Sequence, residues 1–325
     1  METSGTRHDR AAAGSPQSRG RNGRRGARRR RLMGLWLILA AALLAACFAV
    51  GWWGAGIILH PPKMSSMSVF PEQFGLRYEK VSFKTEDGLT LRGWYLPSPT
   101  GDDRTLIMSH GWGDNKGELL AWTYFLNSAG GFNLLYFDYR SHGESEGKIT
   151  TLGYQELVDF RAAAEYLKRH RPRGWLRLGV FGHSMGAAVA AMALPDHAQI
   201  KAAMLESPFT DYRQVARRWA WNNLHIPYFP FMIFVLWLLP WRVGRKDVGT
   251  YSPARFIHLI SPRPILLIGG AEDRLMPPEG VRDLFDRALE PKELWIVPAA
   301  SHGKCRQAAG AEYDRRVIDF FLKHL

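Results

Sequence analysis

From Thr105 onward the chain alternates short apolar runs with longer amphipathic segments. The apolar runs are Thr105–Ser109, Asn133–Tyr139, Leu176–Phe181, Ile200–Glu206, Pro264–Ile268 and Glu293–Val297. Between them, Lys116–Ser128, Tyr154–His170, Met185–Leu194, Pro278–Leu289 and Ala311–His324 read as helices. Strands that are apolar along their whole length need cover on both faces, which predicts a mostly parallel sheet with helices on each side. Upstream, Tyr78–Lys84 and Leu89–Leu96 are joined at Asp87-Gly88, a hairpin signal. The hairpin brings the sheet to eight strands, and the expected class is α/β.

Two segments depart from this alternation. Leu32 to Leu59 is a run of 28 residues without a charge. As a helix it reaches about 42 Å, more than the ~30 Å hydrocarbon core of a bilayer, so a tilted transmembrane span is expected. Arg28–Arg31 on one flank and Trp52-Trp53 near the other match the positive-inside rule and an interfacial aromatic belt. The N-terminus is therefore expected in the cytoplasm, with everything after His60 outside the cell membrane. Leu44-Ala45-Ala46-Cys47 resembles a lipoprotein cleavage box, and an A-x-A-like signal site can be drawn nearby. The apolar run continues to Leu59, whereas mature termini begin polar, so the uncleaved single-pass anchor is the preferred reading over a lipoprotein held through Cys47. His60-Pro61-Pro62 ends the helix, and residues 60–75 read as a linker.

The second departure is an insertion at about 210–250. Trp219 to Trp241 contains no lysine, arginine or acid, and its centre is Phe231–Leu239 between Pro230 and Pro240. Nine helical residues cover about 14 Å, too short to span. The segment is expected to be a lid, either packed over a site or in contact with lipid, and its all-round apolar character favours the interface.

The formal charge of +13 changes little once it is located. Residues 1–31 hold ten arginines and two acids, are poor in large apolar side chains, and are expected to be a disordered cytoplasmic tail. With those removed from 43 basic and 30 acidic residues, the remainder carries 33 against 28, so the body offers no nucleic-acid surface. Cys47 and Cys305 give neither a metal spacing nor a disulfide framework. The scattered histidines show no H-x-x-x-H pair beside an acid, so no metal and no other cofactor is expected.

The chemistry centres on Gly182-His183-Ser184-Met185-Gly186, where an apolar strand turns sharply into an Ala-rich helix. This is the G-x-S-x-G pattern of a nucleophile elbow, in which the glycines let strand and helix approach around a strained serine. Loops after the carboxyl ends of strands are where its partners belong. The loop after Pro264–Ile268 contains Asp273, and the loop after Glu293–Val297 contains His302. The order Ser, Asp, His is the one such an elbow requires. Glu206 and Asp211, after the preceding strand, are alternative acids. His110, His142 and His183 are read as structural, and Asp138 and Arg140 as braces of their own loop. Gly111-x-Gly113-x-x-x-Gly117 loosely imitates a dinucleotide fingerprint, but its spacing is one residue too long.

From about Tyr78 to its end the chain resembles the α/β-hydrolase superfamily. The stretches Ser109-His110-Gly111-Trp112-Gly113, Phe137–Ser145 and Glu206-Ser207-Pro208-Phe209 are similar to Bem46-like and prolyl-oligopeptidase-like serine hydrolases. The resemblance implies an α/β-hydrolase domain over residues 76–325. It also implies Ser184 as nucleophile, His302 as base and Asp273 as orienting acid, with the backbone N–H groups of Trp112 and Met185 as the oxyanion hole. The expected function is a membrane-anchored serine hydrolase cleaving carboxylic esters or thioesters of small-molecule or lipid-like substrates through an acyl-serine. A serine peptidase is the alternative within the enzyme class, and a noncatalytic tethered binding protein the alternative outside it.

Overall fold

A computed structural model describes residues 18–61, 68–225, 227–244 and 250–325. The chain divides into two compact units, residues 1–49 and 50–325. The first unit contains most of helix α1, Ser18–Leu59. Within that helix Ala27–Leu59 is long and apolar enough to cross a membrane, and a signal sequence would meet the same test. Leu35, Trp36, Leu37, Ile38 and Leu39 are exposed along it. Among the described residues the helix already runs from Ser18, within the tail expected to be disordered, and not only from Leu32. Arginine is a good helix former, and once a helix is nucleated each added residue gains a hydrogen bond, so it runs back through the Arg-rich stretch. Residues 1–17 of that tail and residues 62–67 of the expected linker lie outside the described residues.

The second unit is built on an eight-stranded sheet of order β1-β2-β4-β3-β5-β6-β7-β8. Its strands are β1 (Glu79–Lys84), β2 (Thr90–Leu96), β3 (Thr105–Ser109), β4 (Asn133–Phe137), β5 (Leu178–His183), β6 (Ile200–Glu206), β7 (Ile265–Gly270) and β8 (Lys292–Val297). β1 and β2 form the expected hairpin, with Glu79 opposite Tyr95 and Lys84 opposite Thr90. β2 pairs antiparallel with β4, and all pairs from there to β8 are parallel. The hairpin therefore supplies the sheet's antiparallel edge.

Helices cover both faces, as continuous apolar strands require. On one face α4 (Glu156–His170), α6 (Met185–Ala193) and α9 (Pro278–Arg287) bury Phe160, Leu167, Val189, Val281 and Leu284 against Ile107, Leu135, Val180 and Leu267. On the other, α2 (Lys116–Thr123), α3 (Phe125–Ser128) and α11 (Ala311–His324) bury Leu120, Leu126, Val317 and Phe321 against Leu106, Met108, Phe181 and Met204. Alternate residues of β3 and β5 thus feed opposite cores, the period of a strand. The short helices α5 (Pro172–Trp175) and α10 (Cys305–Ala309) precede β5 and follow β8 in the chain.

After β6 the insertion forms α7 (Tyr212–Leu224) and α8 (Ile233–Val243). A third apolar cluster joins them to the last turns of α1: Ala55, Ile58 and Leu59 pack with Val215, Ala216, Met232, Val235 and Leu239. The other side of the insertion is open, with Phe229, Ile233, Trp237 and Trp241 at 75%, 42%, 68% and 69% exposure. The alternatives of packed lid and interfacial element are therefore not exclusive here. One face of α8 is core and the other is bare.

Candidate active site

β5 ends at His183, and the next residue turns the chain. Ser184 has φ 52° and ψ −115°, a conformation that costs a non-glycine residue about 1–3 kcal/mol and persists only when its surroundings enforce it. The enforcement is visible. The Ser184 N–H donates to the Glu206 carbonyl at 2.8 Å, and the Ser184 carbonyl accepts the Ala188 N–H at 3.1 Å. A Cβ on Gly182 would lie 2.6 Å from Ala187 Cα, and one on Gly186 would lie 2.2 Å from the Ser109 carbonyl oxygen. Only glycine fits at either position, so the elbow is fixed by contact on both sides of the serine.

The loops after β7 and β8 are stitched together by their backbones. Ala271 N–H donates to Val297 O and Glu272 N–H to Ala300 O, each at 2.9 Å. This brings Asp273 against His302. The Asp273 side chain is fully buried; its Oδ1 accepts the N–H groups of Leu275 at 2.9 Å and Met276 at 2.7 Å. Oδ2 lies 2.7 Å from His302 Nδ1, and His302 Nε2 lies 3.1 Å from Ser184 Oγ. With a carboxylate oxygen facing Nδ1, the tautomer that fits this geometry carries its proton on Nδ1 and leaves Nε2 to accept one from the serine hydroxyl. Ser184, His302 and Asp273 thus form one hydrogen-bonded line. The alternative acids are engaged elsewhere: Glu206 accepts the Tyr313 hydroxyl, and Asp211 caps α7 through the Arg213 N–H at 2.7 Å.

The β3–α2 loop lies along the serine. A Cβ on Gly111 would come within 3.4 Å of Ser184 Cβ, and Gly113 takes φ 81°. Trp112 and Met185 line the same cavity as Ser184 and His302. Met185 opens α6, where the first N–H groups have no intrahelical acceptor. The neighbouring histidines are turned toward backbone. His110 Nδ1 lies 2.7 Å from Gly111 O while its Nε2 accepts the Tyr139 N–H at 3.0 Å. His142 Nδ1 lies 2.8 Å from Arg140 O. Burial lowers both, with His142 brought to about 4, so both are neutral at pH 7. Asp138 accepts from the Lys116 backbone at 2.7 Å and from its Nζ at 2.6 Å, while Arg140 grips Asp159 at 2.6–3.0 Å. Asp138 thus holds the start of α2 at the end of β4, and Arg140 ties its loop to α4.

The cavity has a volume of about 660 Å³. Its walls include residues the sequence did not single out: Ile58, Asp114, Glu118, Trp122 and Trp219. Trp219 meets Trp112 edge to face at 5.5 Å between ring centroids. His183 is buried, which by itself disfavours its cation, yet Asp114 at 3.7 Å and more distant carboxylates lift it above the ordinary imidazole range. Asp114 is held below the usual carboxylate range: burial opposes that shift, but His183 and neighbouring histidines outweigh it. Burial raises Glu118. Cys47 and Cys305 are both free thiols. Among the described residues no group of three His, Cys, Asp or Glu is placed to hold a metal ion.

Comparison with known proteins agrees with this architecture. The family model described as serine aminopeptidase, S33, matches residues 101–256. The YfhR protein of Escherichia coli (strain K12) is 31% identical over 261 residues, covering 76% of this chain and 81% of that one. The bem46 protein of Schizosaccharomyces pombe is 28% identical over 259 residues, covering 78% and 80%. The solved Pyrococcus furiosus esterase Pf2001 superposes with a TM-score of 0.68 at 29% identity, covering 81% of this chain and 99% of that one. With the sheet order, the elbow and these relatives together, the chain belongs to the α/β-hydrolase superfamily, in its Bem46-like group.

Proposed function

We propose that this protein is a membrane-anchored serine hydrolase that cleaves carboxylic esters or thioesters with apolar acyl groups through an acyl-serine intermediate. The observation that carries this reading is the line from Ser184 Oγ through His302 to Asp273, at 3.1 and 2.7 Å, opening into a largely apolar cavity. A serine hydroxyl is too weak an acid to attack a carbonyl unaided, so His302 Nε2 takes its proton as the Oγ–carbon bond forms. The imidazolium that results is stabilised by the buried Asp273 carboxylate. Negative charge collects on the former carbonyl oxygen, where the N–H groups of Trp112 and Met185 are the donors at hand; each such donor contributes about 3 kcal/mol. Collapse expels the alcohol or thiol, which leaves with the proton from His302. Water then repeats the sequence on the acyl-serine and frees the acid. Ser184→Ala is expected to lower turnover roughly 10⁶-fold and to abolish labelling by a fluorophosphonate. Labelling that persists in the variant at another serine would refute the assignment.

One observation favours a second reading, an aminopeptidase. Asp114 and Glu118 put carboxylates in the cavity wall, where a substrate ammonium group would find a counter-charge. The family model's description points the same way. Paired measurements on aminoacyl amides and on uncharged esters separate the two. Esters of simple fatty acids turned over faster than any aminoacyl amide support the first reading, and the reverse order supports the second.

A further inference from the structure

The end of α1 does more than connect a helix to a domain. Val50–Leu59 belongs to the same compact unit as the sheet. Gly51 and Gly54 let α8 come close: added Cβ atoms there would lie 2.7 Å from Phe234 Cβ and 2.9 Å from Val235 Cγ2. Ala55, Ile58 and Leu59 are buried, and Ile58 also faces the cavity that holds Ser184. The last carbonyls of a helix have no intrahelical donor and must be satisfied from outside. Here the site satisfies two of them. The Trp112 indole N–H donates to the Ile58 carbonyl at 3.1 Å, and the Thr150 backbone N–H donates to the Leu59 carbonyl at 2.8 Å. The Thr150 hydroxyl donates to Glu156 at 2.6 Å and sits 3.9 Å from the Met185 sulfur. The helix end therefore reaches both flanks of the serine, the Trp112 loop on one side and the surroundings of Met185 on the other.

We propose that the last turns of α1 are a wall of the substrate cavity, with Ile58 limiting the length of apolar chain it accepts and the Ile58 carbonyl positioning the Trp112 loop. The proposal rests on the reading of Ser184 as the acylating serine. It makes Ile58 a specificity residue and the Trp112 indole a positioning group, since the indole acts through the loop and not on the reacting atoms. A serine hydrolase of this kind would be tuned by the segment that leads into its own membrane anchor.

The test uses the full chain in vesicles and two ester panels, one varying the acyl chain from acetyl to dodecanoyl and one varying the alcohol over the same lengths. Ile58→Ala should move the preferred length upward in one panel by about two or three methylenes, the volume the substitution vacates. Ile58→Phe should move it downward, and Leu37→Ala, earlier in the same helix, should leave both profiles alone. Trp112→Phe keeps an aromatic ring but loses the donor. It should lower kcat by roughly 3- to 10-fold at every chain length, the factor one neutral hydrogen bond represents, with KM and Tm little changed. Should Ile58→Phe fail to fold, Ile58→Val supplies the same comparison in the direction of Ile58→Ala. Profiles unchanged in both panels for folded Ile58 variants would overturn the proposal while leaving Ser184 untouched. Activity that survives Ser184→Ala would instead overturn the reading beneath it.

Discussion

The open side of the insertion gives the sharpest expected outcome. Replacing Phe229, Ile233, Trp237 and Trp241 together by serine removes four large side chains that are 42–75% exposed and so contribute little to the core. Full transfer of such a side chain out of water is worth about 1.5–3 kcal/mol. If each sinks about half its surface into the headgroup boundary, the four together hold the insertion to a bilayer by roughly 4 kcal/mol, or about 10³ in the docking equilibrium. Trp52 and Trp53, at 44% and 56% exposure, continue the aromatic surface, and Trp52 meets Trp241 at 6.0 Å. The full chain in vesicles is the right preparation, with one ester dissolved in the bilayer and one short ester in water. The quadruple variant should lose at least about tenfold on the bilayer ester, stay within about twofold on the soluble one, and keep its Tm, because the removed atoms are not core atoms. Leu239→Ala on the opposite face is the control: Leu239 is 2% exposed, and its truncation should destabilise by about 2–5 kcal/mol and reduce both activities together. A quadruple variant that melts like Leu239→Ala, or that hydrolyses the bilayer ester at the parental rate, would refute the interfacial reading.

Other outcomes follow from single contacts. Asp273→Asn should leave the fold intact and lower kcat by about 10⁴, because the amide presents the wrong partner to His302 Nδ1; a loss below tenfold would mean another acid serves. Gly186→Ala should cost about 1–3 kcal/mol or more and appear as a lower Tm, since its Cβ would lie 2.2 Å from the Ser109 carbonyl. His142 is kept neutral by burial, with its value lowered to about 4 against 6.5, so below pH 6.5 the unfolded chain binds the extra proton. Its contribution to stability is therefore complete above about pH 6.5 and is lost as pH falls toward 4, a span on the order of 1–3 kcal/mol. Denaturant unfolding of the parent and of His142→Gln at several pH values should show a steeper acid loss in the parent; equal slopes would refute the assignment.

What the sequence disclosed and what it hid divide along physical lines. β3, β6 and α11 have the bounds their patterns predict, because a buried parallel strand is a closed apolar run and an amphipathic helix repeats its stripe. Ser184, Asp273 and His302 were legible because each stands in a loop after a strand, where the fold leaves few other side chains free to meet. Residues 32–59 are a different case. When every position is apolar, periodicity cannot say which face meets lipid and which meets protein, so Ile58 was indistinguishable from Ile38. The one available signal was Gly51, Gly54 and Ala55 in the last turns. Small residues at this spacing mark a helix face that another backbone approaches, and α8 is the helix that does.

The insertion is hard to read from sequence for a related reason. Its even apolar character is compatible with a packed lid and with a surface element. A helix of eleven residues has two faces, and nothing prevents one from closing a core while the other seeks lipid. Here the packed face rests on the last turns of α1, and those turns reach the cavity through Ile58. The packed face of α8, the last turns of α1 and the cavity lining are therefore joined through one apolar cluster. A perturbation of the bare face should leave the chemistry on soluble esters alone, whereas one at Gly51 or Gly54 should change chain-length preference, because added Cβ atoms there would push Phe234 and Val235 away. Gly54→Ala is the cleanest case, with its first contact a side-chain methyl at 2.9 Å. It should shift the ester profile in the same sense as Ile58→Ala, with a smaller loss of Tm than Leu239→Ala. A lower Tm with an unchanged profile would show that the cluster is structural and ends short of the cavity.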